Sequence, residues 1–236
     1  MIRVHYVAAL ALLATSPALA QAQAAQTQTV SPEAARNARL GAAIAAIKAS
    51  KPGDAVAILD PLLAEYQKLY APEKRRIYCA HDPQEALFYM AQAAAAKRDA
   101  VAIDPGWCIA LWAKGFALID MQQLDAGVPF LERAVSLSPS HAHYLSELAY
   151  AYQAQKKWQL SYDLYDRAAT GAALEEGDPR NKSLRRAWFG MAFDLVELGR
   201  LDEAEKWLVK CLEVAPDDQN VKTELKYVRE QRAQKT

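Results

Sequence analysis

The sequence has no surplus of charge of either sign: 28 Lys and Arg balance 28 Asp and Glu over 236 residues. Phosphate binding depends on excess cations, so this balance argues against nucleic acid as the main partner. Long apolar runs are missing too. Residues 6–14 form a run too short to cross a bilayer, and no other run approaches that length, so no membrane span is expected. Cysteine is scarce, with three in all and no paired Cys motif, and neither a Gly-rich phosphate loop nor a Ser–His–Asp grouping stands out. His143 and Glu147 share a helix face with His141 nearby, but two such groups are too few for the usual metal ligand count. They read as surface polar contacts, and His81-Asp82 reads as a turn with a cap. No catalytic, cofactor-binding or metal site is therefore expected, and the protein reads as non-enzymatic.

What is present is a soluble globular composition, 52% hydrophobic and 24% charged. Arg3, the apolar residues 6–14 and the small residues Ala18 and Ala20 read as a secretory signal peptide over 1–20. The polar, low-complexity stretch 21–30 reads as a disordered lead, so the mature protein is expected in the periplasm or outside the cell. Ser31-Pro32 starts the first helix as N-cap and first-turn proline. Leu40, Ile44 and Ile47 recur along it at helical spacing. After the turn Lys51-Pro52-Gly53-Asp54, a second apolar stripe runs through Val56, Leu59, Leu62, Leu63 and Tyr66. Residues 71–81 break the rhythm and read as an eroded helix, with Lys74-Arg75-Arg76 as solvated surface. Asp82-Pro83-Gln84-Glu85 then opens a helix expected to run to about Ile103.

Residues 108–216 hold three copies of one helix–turn–helix pattern: 108–139, 142–168 and 185–216. Gly115, Ala149 and Ala192 share the eighth place, Gly127, Ser161 and Ala204 the twentieth, and Ala134, Ala168 and Cys211 the twenty-seventh. Small residues there let the two helices of a hairpin touch. Leu118, Tyr152 and Leu195 fill the seam between hairpins, and Leu124, Trp158 and Leu201 open the second helix. Pro139 and Pro216 close the first and third copies, because proline cannot continue a helix. The first two copies start 34 residues apart, at Cys108 and Ala142, whereas the third starts 43 after the second. The excess reads as a loop-like insertion at 170–184, and Val221, Leu225 and Val228 mark one face of a final capping helix over 217–236.

This pattern resembles the tetratricopeptide repeat, whose period is about 34 residues. In the third copy Trp188 takes the family's tryptophan place, Met191-Ala192 the Leu-Gly place and Gly199 the turn. Two departures stand out: Leu111 and Leu145 replace the tryptophan, and the second copy lacks its closing proline. The resemblance implies an all-α, right-handed superhelical solenoid of antiparallel helix hairpins. Residues 31–107 would be degenerate N-terminal repeats and 108–216 three regular ones.

In the family, the first helix of each unit lines a concave groove. The matching places here hold Ile109, Trp112, Phe116, Ile119 and Asp120, then His143, Ser146, Tyr150, Gln153 and Ala154, then Arg186, Phe189, Phe193, Val196 and Glu197. The Lys, Arg and Asn clamp with which some members grip a terminal carboxylate is missing. The groove is aromatic instead, and five half-exposed rings would leave ~500 Å² open. The resemblance thus implies an adaptor that binds a protein or peptide partner, an apolar peptide or helix, with no cofactor. The alternative is an assembly protein that self-associates, as a homodimer, through the same face. Cys211 sits in a small buried column. Cys79 and Cys108 lie at two inter-helix boundaries and are either bridged or two unrelated thiols.

Overall fold

The computed structural model describes residues 31–235. The expected signal peptide over 1–20 and the lead over 21–30 lie outside the described residues.

Antiparallel hairpins dominate the fold: α1 (Pro32–Lys48) with α2 (Pro52–Tyr70), α4 (Gly106–Asp120) with α5 (Leu124–Leu137), α6 (Ala142–Ala154) with α7 (Trp158–Gly171), and α8 (Gly177–Glu197) with α9 (Leu201–Val214). Helix α10 (Gln219–Lys235) lays Val221, Leu225 and Val228 against α9. The architecture is an all-α solenoid in which each hairpin buries its apolar face on the next.

The four hairpin turns are built alike. Ser50, Gln122, Lys156 and Gly199 each have positive φ, between 56° and 75°. In each turn the N–H of the following residue reaches back five places, from Lys51 to Ala46, Gln123 to Leu118, Lys157 to Tyr152 and Arg200 to Leu195, at 2.8–2.9 Å. This left-handed cap satisfies carbonyls that the helix end would otherwise strand. It gives the α1–α2 pair the same turn as the later hairpins.

Close approach within the hairpins follows from the small-residue columns. A Cβ on Gly127 would sit 2.7 Å from the Gly115 carbonyl oxygen, so α4 and α5 touch backbone to backbone there. Large residues fill the seams. Leu59, Leu62, Leu131, Leu145, Met191, Leu195 and Leu208 are fully buried, each contributing about 1.5–3 kcal/mol on transfer from water.

Two expectations are corrected. The helix after Asp82 does not reach Ile103. It is α3 (Pro83–Ala95); Lys97 just beyond it turns at φ 52°, and the chain then forms a strand, β2 (Ala100–Ile103). The stretch read as an eroded helix contains β1 (Arg76–Cys79), which pairs in parallel with β2, Arg76 opposite Ala100 and Cys79 opposite Ile103. Residues 76–103 are thus a β–α–β insert with its own small core, in which the Tyr78 and Tyr89 rings stack at 5.0 Å. The insert stands beside the solenoid without interrupting it, since α2 packs directly on α4. Cys79 and Cys108 form a disulfide that ties β1 to α4, and the Ser138 hydroxyl donates to the Cys79 carbonyl at 2.9 Å.

The second correction concerns 170–184. Only residues 172–176 leave the α-helical path. The rest of the excess lengthens α8, which begins at Gly177 with Asp178 in its first turn, where acid and Pro179 both suit a helix start.

Candidate functional site

The first helices of the units lie side by side: α1 meets α4, α4 meets α6 and α6 meets α8. Their outward places therefore form one inner surface. The structure sorts the expected groove residues into two sets. Ile109, Trp112, Phe189 and Val196 are half-buried and packed on the core. Tyr150 and Phe193 are open, at 53% and 38% exposure. The open aromatic area is therefore smaller than five half-exposed rings would give, because two of the rings, Trp112 and Phe189, also serve the inter-helix seam.

Trp112 is the hub of the first set. Its ring lies 5.9 Å from Phe116, 4.9 Å edge-on from His143 and 6.4 Å from Tyr144. Arg186 comes to the same wall from α8: its Nη1 donates to Glu147 Oε1 at 2.9 Å and lies 3.5 Å from His143 Nδ1. Burial, aided by Arg186 and His81 and opposed by Glu147, lowers the His143 pKa from its ordinary value. A neutral ring whose Nδ1 accepts from Arg186 fits that direction. Farther along, Phe193 meets Trp158 edge-on at 6.0 Å, and the Arg185 guanidinium sits 4.7 Å from the Phe189 ring.

Sequence reasoning missed one contributor, the β–α–β insert. It brings His81 and Glu85 to the start of α6. His81 Nδ1 donates to Glu85 Oε2 at 2.9 Å, and its Nε2 meets the Tyr144 hydroxyl at 2.9 Å. The His81 and His141 rings are 3.9 Å apart. Tyr89 OH donates to Glu85 Oε1 at 2.6 Å and the His81 N–H to Oε2 at 2.7 Å. Burial works against the Glu85 charge, but these donors outweigh it and hold its carboxyl below the usual range. Burial, with His81 alongside, pushes His141 down to about 3. Three of the chain's four histidines meet here, which was the one available signal. The groups are spent on one another. Among the described residues no cluster of three or more His, Cys, Asp and Glu is placed to hold a metal. The arrangement is a hydrogen-bonded wall that fixes α6 against the insert.

A family model described as tetratricopeptide repeat matches residues 110–141, and a second of the same description matches 139–217. This is a tetratricopeptide-repeat protein. Solved structures agree in fold. The chain is similar to MamA 41-end from Desulfovibrio magneticus RS-1 at 12% identity and TM-score 0.55, covering 84% of this chain and 85% of that one. It is similar to MamA MSR-1 C2 at 20% identity and TM-score 0.54, covering 84% and 87%. A putative kinesin light chain of Podosopora anserina, with nearly identical TPR-like repeats, aligns at 16% identity and TM-score 0.50, covering 85% and 96%. A comparison with curated proteins finds no match. At these identities the likeness is one of fold. Among the described residues no helix of this tetratricopeptide-repeat protein is long and apolar enough to cross a membrane.

Proposed function

We propose that this tetratricopeptide-repeat protein is a non-enzymatic adaptor of the cell envelope that holds an apolar peptide or helix against α4, α6 and α8. The observation that carries the reading is the pair Tyr150 and Phe193. Both are large rings left open on adjacent first helices, the surface on which repeats of this family dock their partners. Phe116 and Trp112 extend the apolar strip, and the Arg186–Glu147 pair gives it a polar border. Export is part of the proposal. It rests on the pattern of residues 1–20, and the Cys79–Cys108 bridge supports it, because such bonds persist in oxidising compartments.

The test is photocrosslinking in cells from a reactive residue at Phe116, followed by identification of the caught protein and repetition with Tyr150→Ala/Phe193→Ala. Loss of capture with unchanged helix content by circular dichroism supports the groove. Capture that persists in the double variant dismisses it. Cell fractionation with N-terminal sequencing of the mature protein tests export, and an uncleaved cytoplasmic chain refutes that part.

A further inference from the structure

The basic run Lys74-Arg75-Arg76 is exposed, but it does not stand alone. It lines a cleft of about 590 Å³ between α2, β1 and α5, floored by Trp107 and Leu111 of α4. At ~100° per residue along α4, Trp107 and Leu111 point roughly 150° away from Ile109, Trp112 and Phe116. The cleft is therefore a second surface, separate from the inner groove.

Its charge is one-sided in a chain whose total is zero. Lys74, Arg75, Arg76 and Arg133 line it with a single acid, Glu73, while Asp99 acts on Arg75 through space. Glu73 is already taken by Arg75, whose backbone N–H and Nε donate to Oε1 at 2.9 Å and whose Nη2 donates to Oε2 at 2.6 Å. The other three cations have no carboxylate partner among the described residues. Two of them are nonetheless held in place. Arg76 donates to the Ser136 carbonyl and lies over the Tyr78 ring at 5.4 Å, and the Arg133 guanidinium lies over Trp107 at 5.5 Å. Guanidinium groups already positioned lose little freedom when they bind, and their forked donors match the two oxygens of a carboxylate.

We infer that this cleft docks an acidic peptide segment of a protein partner, with Asp or Glu carboxylates on Arg76, Arg133 and Lys74. The site is too short a track for nucleic acid, which needs cations along an extended face. The assignment stands apart from the inner groove and does not require it.

The experiment is fluorescence anisotropy with a fluorescein-labelled peptide Ser-Glu-Glu-Glu-Glu-Ser on the full chain, against the same peptide with Lys for Glu. The expected result is saturable one-to-one binding of the glutamate peptide alone, weakening as salt is raised. Lys74→Gln/Arg133→Met should weaken it roughly tenfold or more, and the methionine keeps an apolar cover on Trp107. Lys74→Glu alone, on the exposed link, provides a second variant that leaves the Arg133–Trp107 contact in place. Tyr150→Ala/Phe193→Ala should bind the peptide normally. Absence of saturable binding, or full binding by both cleft variants, overturns the inference. So does displacement by pyrophosphate at lower concentration than by unlabelled peptide, which assigns the cleft to phosphate instead.

Discussion

Asp194→Asn probes the seam between α6 and α8. Asp194 is fully buried in α8, where Gln153 Nε2 donates to its Oδ1 at 3.1 Å and to the Gly190 carbonyl at 3.2 Å, while Oδ2 has no hydrogen-bond partner. Burial pushes the carboxyl from 3.8 up to about 7, against the pull of the nearby Ser161 hydroxyl first and the Gln153 donor second. Because the folded value lies above the unfolded one, the stability is complete below pH 3.8, where both states hold the proton. It drains away as pH rises toward 7. At about 1.36 kcal/mol per pH unit the charge costs roughly 4 kcal/mol above neutrality. Asparagine keeps the acceptor for Gln153 and cannot ionise. Its amide leaves an unpaired donor in place of Oδ2, an offset of about 1–3 kcal/mol, which the neutral acid shares through its own O–H. The variant should therefore match the parent near pH 4 and exceed it by about 4 kcal/mol near pH 8. Urea denaturation at the two pH values, followed by circular dichroism, reads the difference. A gap that does not change with pH refutes the reasoning.

Other perturbations test other parts of the fold. Gly127→Ala puts a methyl against the Gly115 carbonyl and should cost about 1–3 kcal/mol, whereas Gly41→Ala, with open space around it in α1, should gain about 0.5–1 kcal/mol; thermal melts of both separate contact from propensity. His141 caps α6 by accepting from the Tyr144 N–H, and its folded pKa of about 3 lies below the unfolded 6.5, so its contribution is lost as pH falls from 6.5 toward 3. His141→Asn keeps a capping acceptor and should lose about 2–3 kcal/mol less than the parent between pH 7 and pH 4, a difference between proteins in which the opposite slope from Asp194 cancels. Cys79→Ser/Cys108→Ser opens a loop of 29 residues' separation and should lower stability by ~3–4 kcal/mol in a urea melt, with no further loss on adding reductant.

The solenoid was legible because its physics is local and repeated. Gly115 and Gly127 are small because the helices touch there, and the same constraint recurs at Ala149 and Ser161 and at Ala192 and Ala204. The insert was illegible for the opposite reason. Ile77, Tyr78 and Cys79 are buried on both faces of a short strand and show no alternation, while the alanine-rich end of α3 offers helix propensity with no stop signal before Lys97. The groove was legible in place but not in exposure. Nothing near Trp112 in sequence says that His143 and Tyr144 will pack on it. Lys74-Arg75-Arg76 likewise meant little until Arg133 of α5 completed the cleft beside it.

In a repeat array each hairpin leans only on its neighbours, so an insert between two of them threatens the whole stack. Here the α2–α4 contact stays intact, with Tyr66, Tyr70 and Trp107 stacked across it, the Tyr70 and Trp107 rings 5.2 Å apart. The strand pair is set to the side and pinned by the disulfide to α4 and by Ser138 to the end of α5. Those two pins fix Arg76 at one end of β1 and His81 just past the other. One short strand therefore serves both surfaces: its start supplies a cation to the acidic-peptide cleft, and its exit braces the first turn of α6 through His81 and Tyr144. Opening the bridge should loosen both together while α6 to α10 keep their packing. Hydrogen exchange of the oxidised and reduced protein shows this as faster exchange confined to residues 76–103 and their contacts; uniform acceleration along the chain means instead that the insert is integral to the stack.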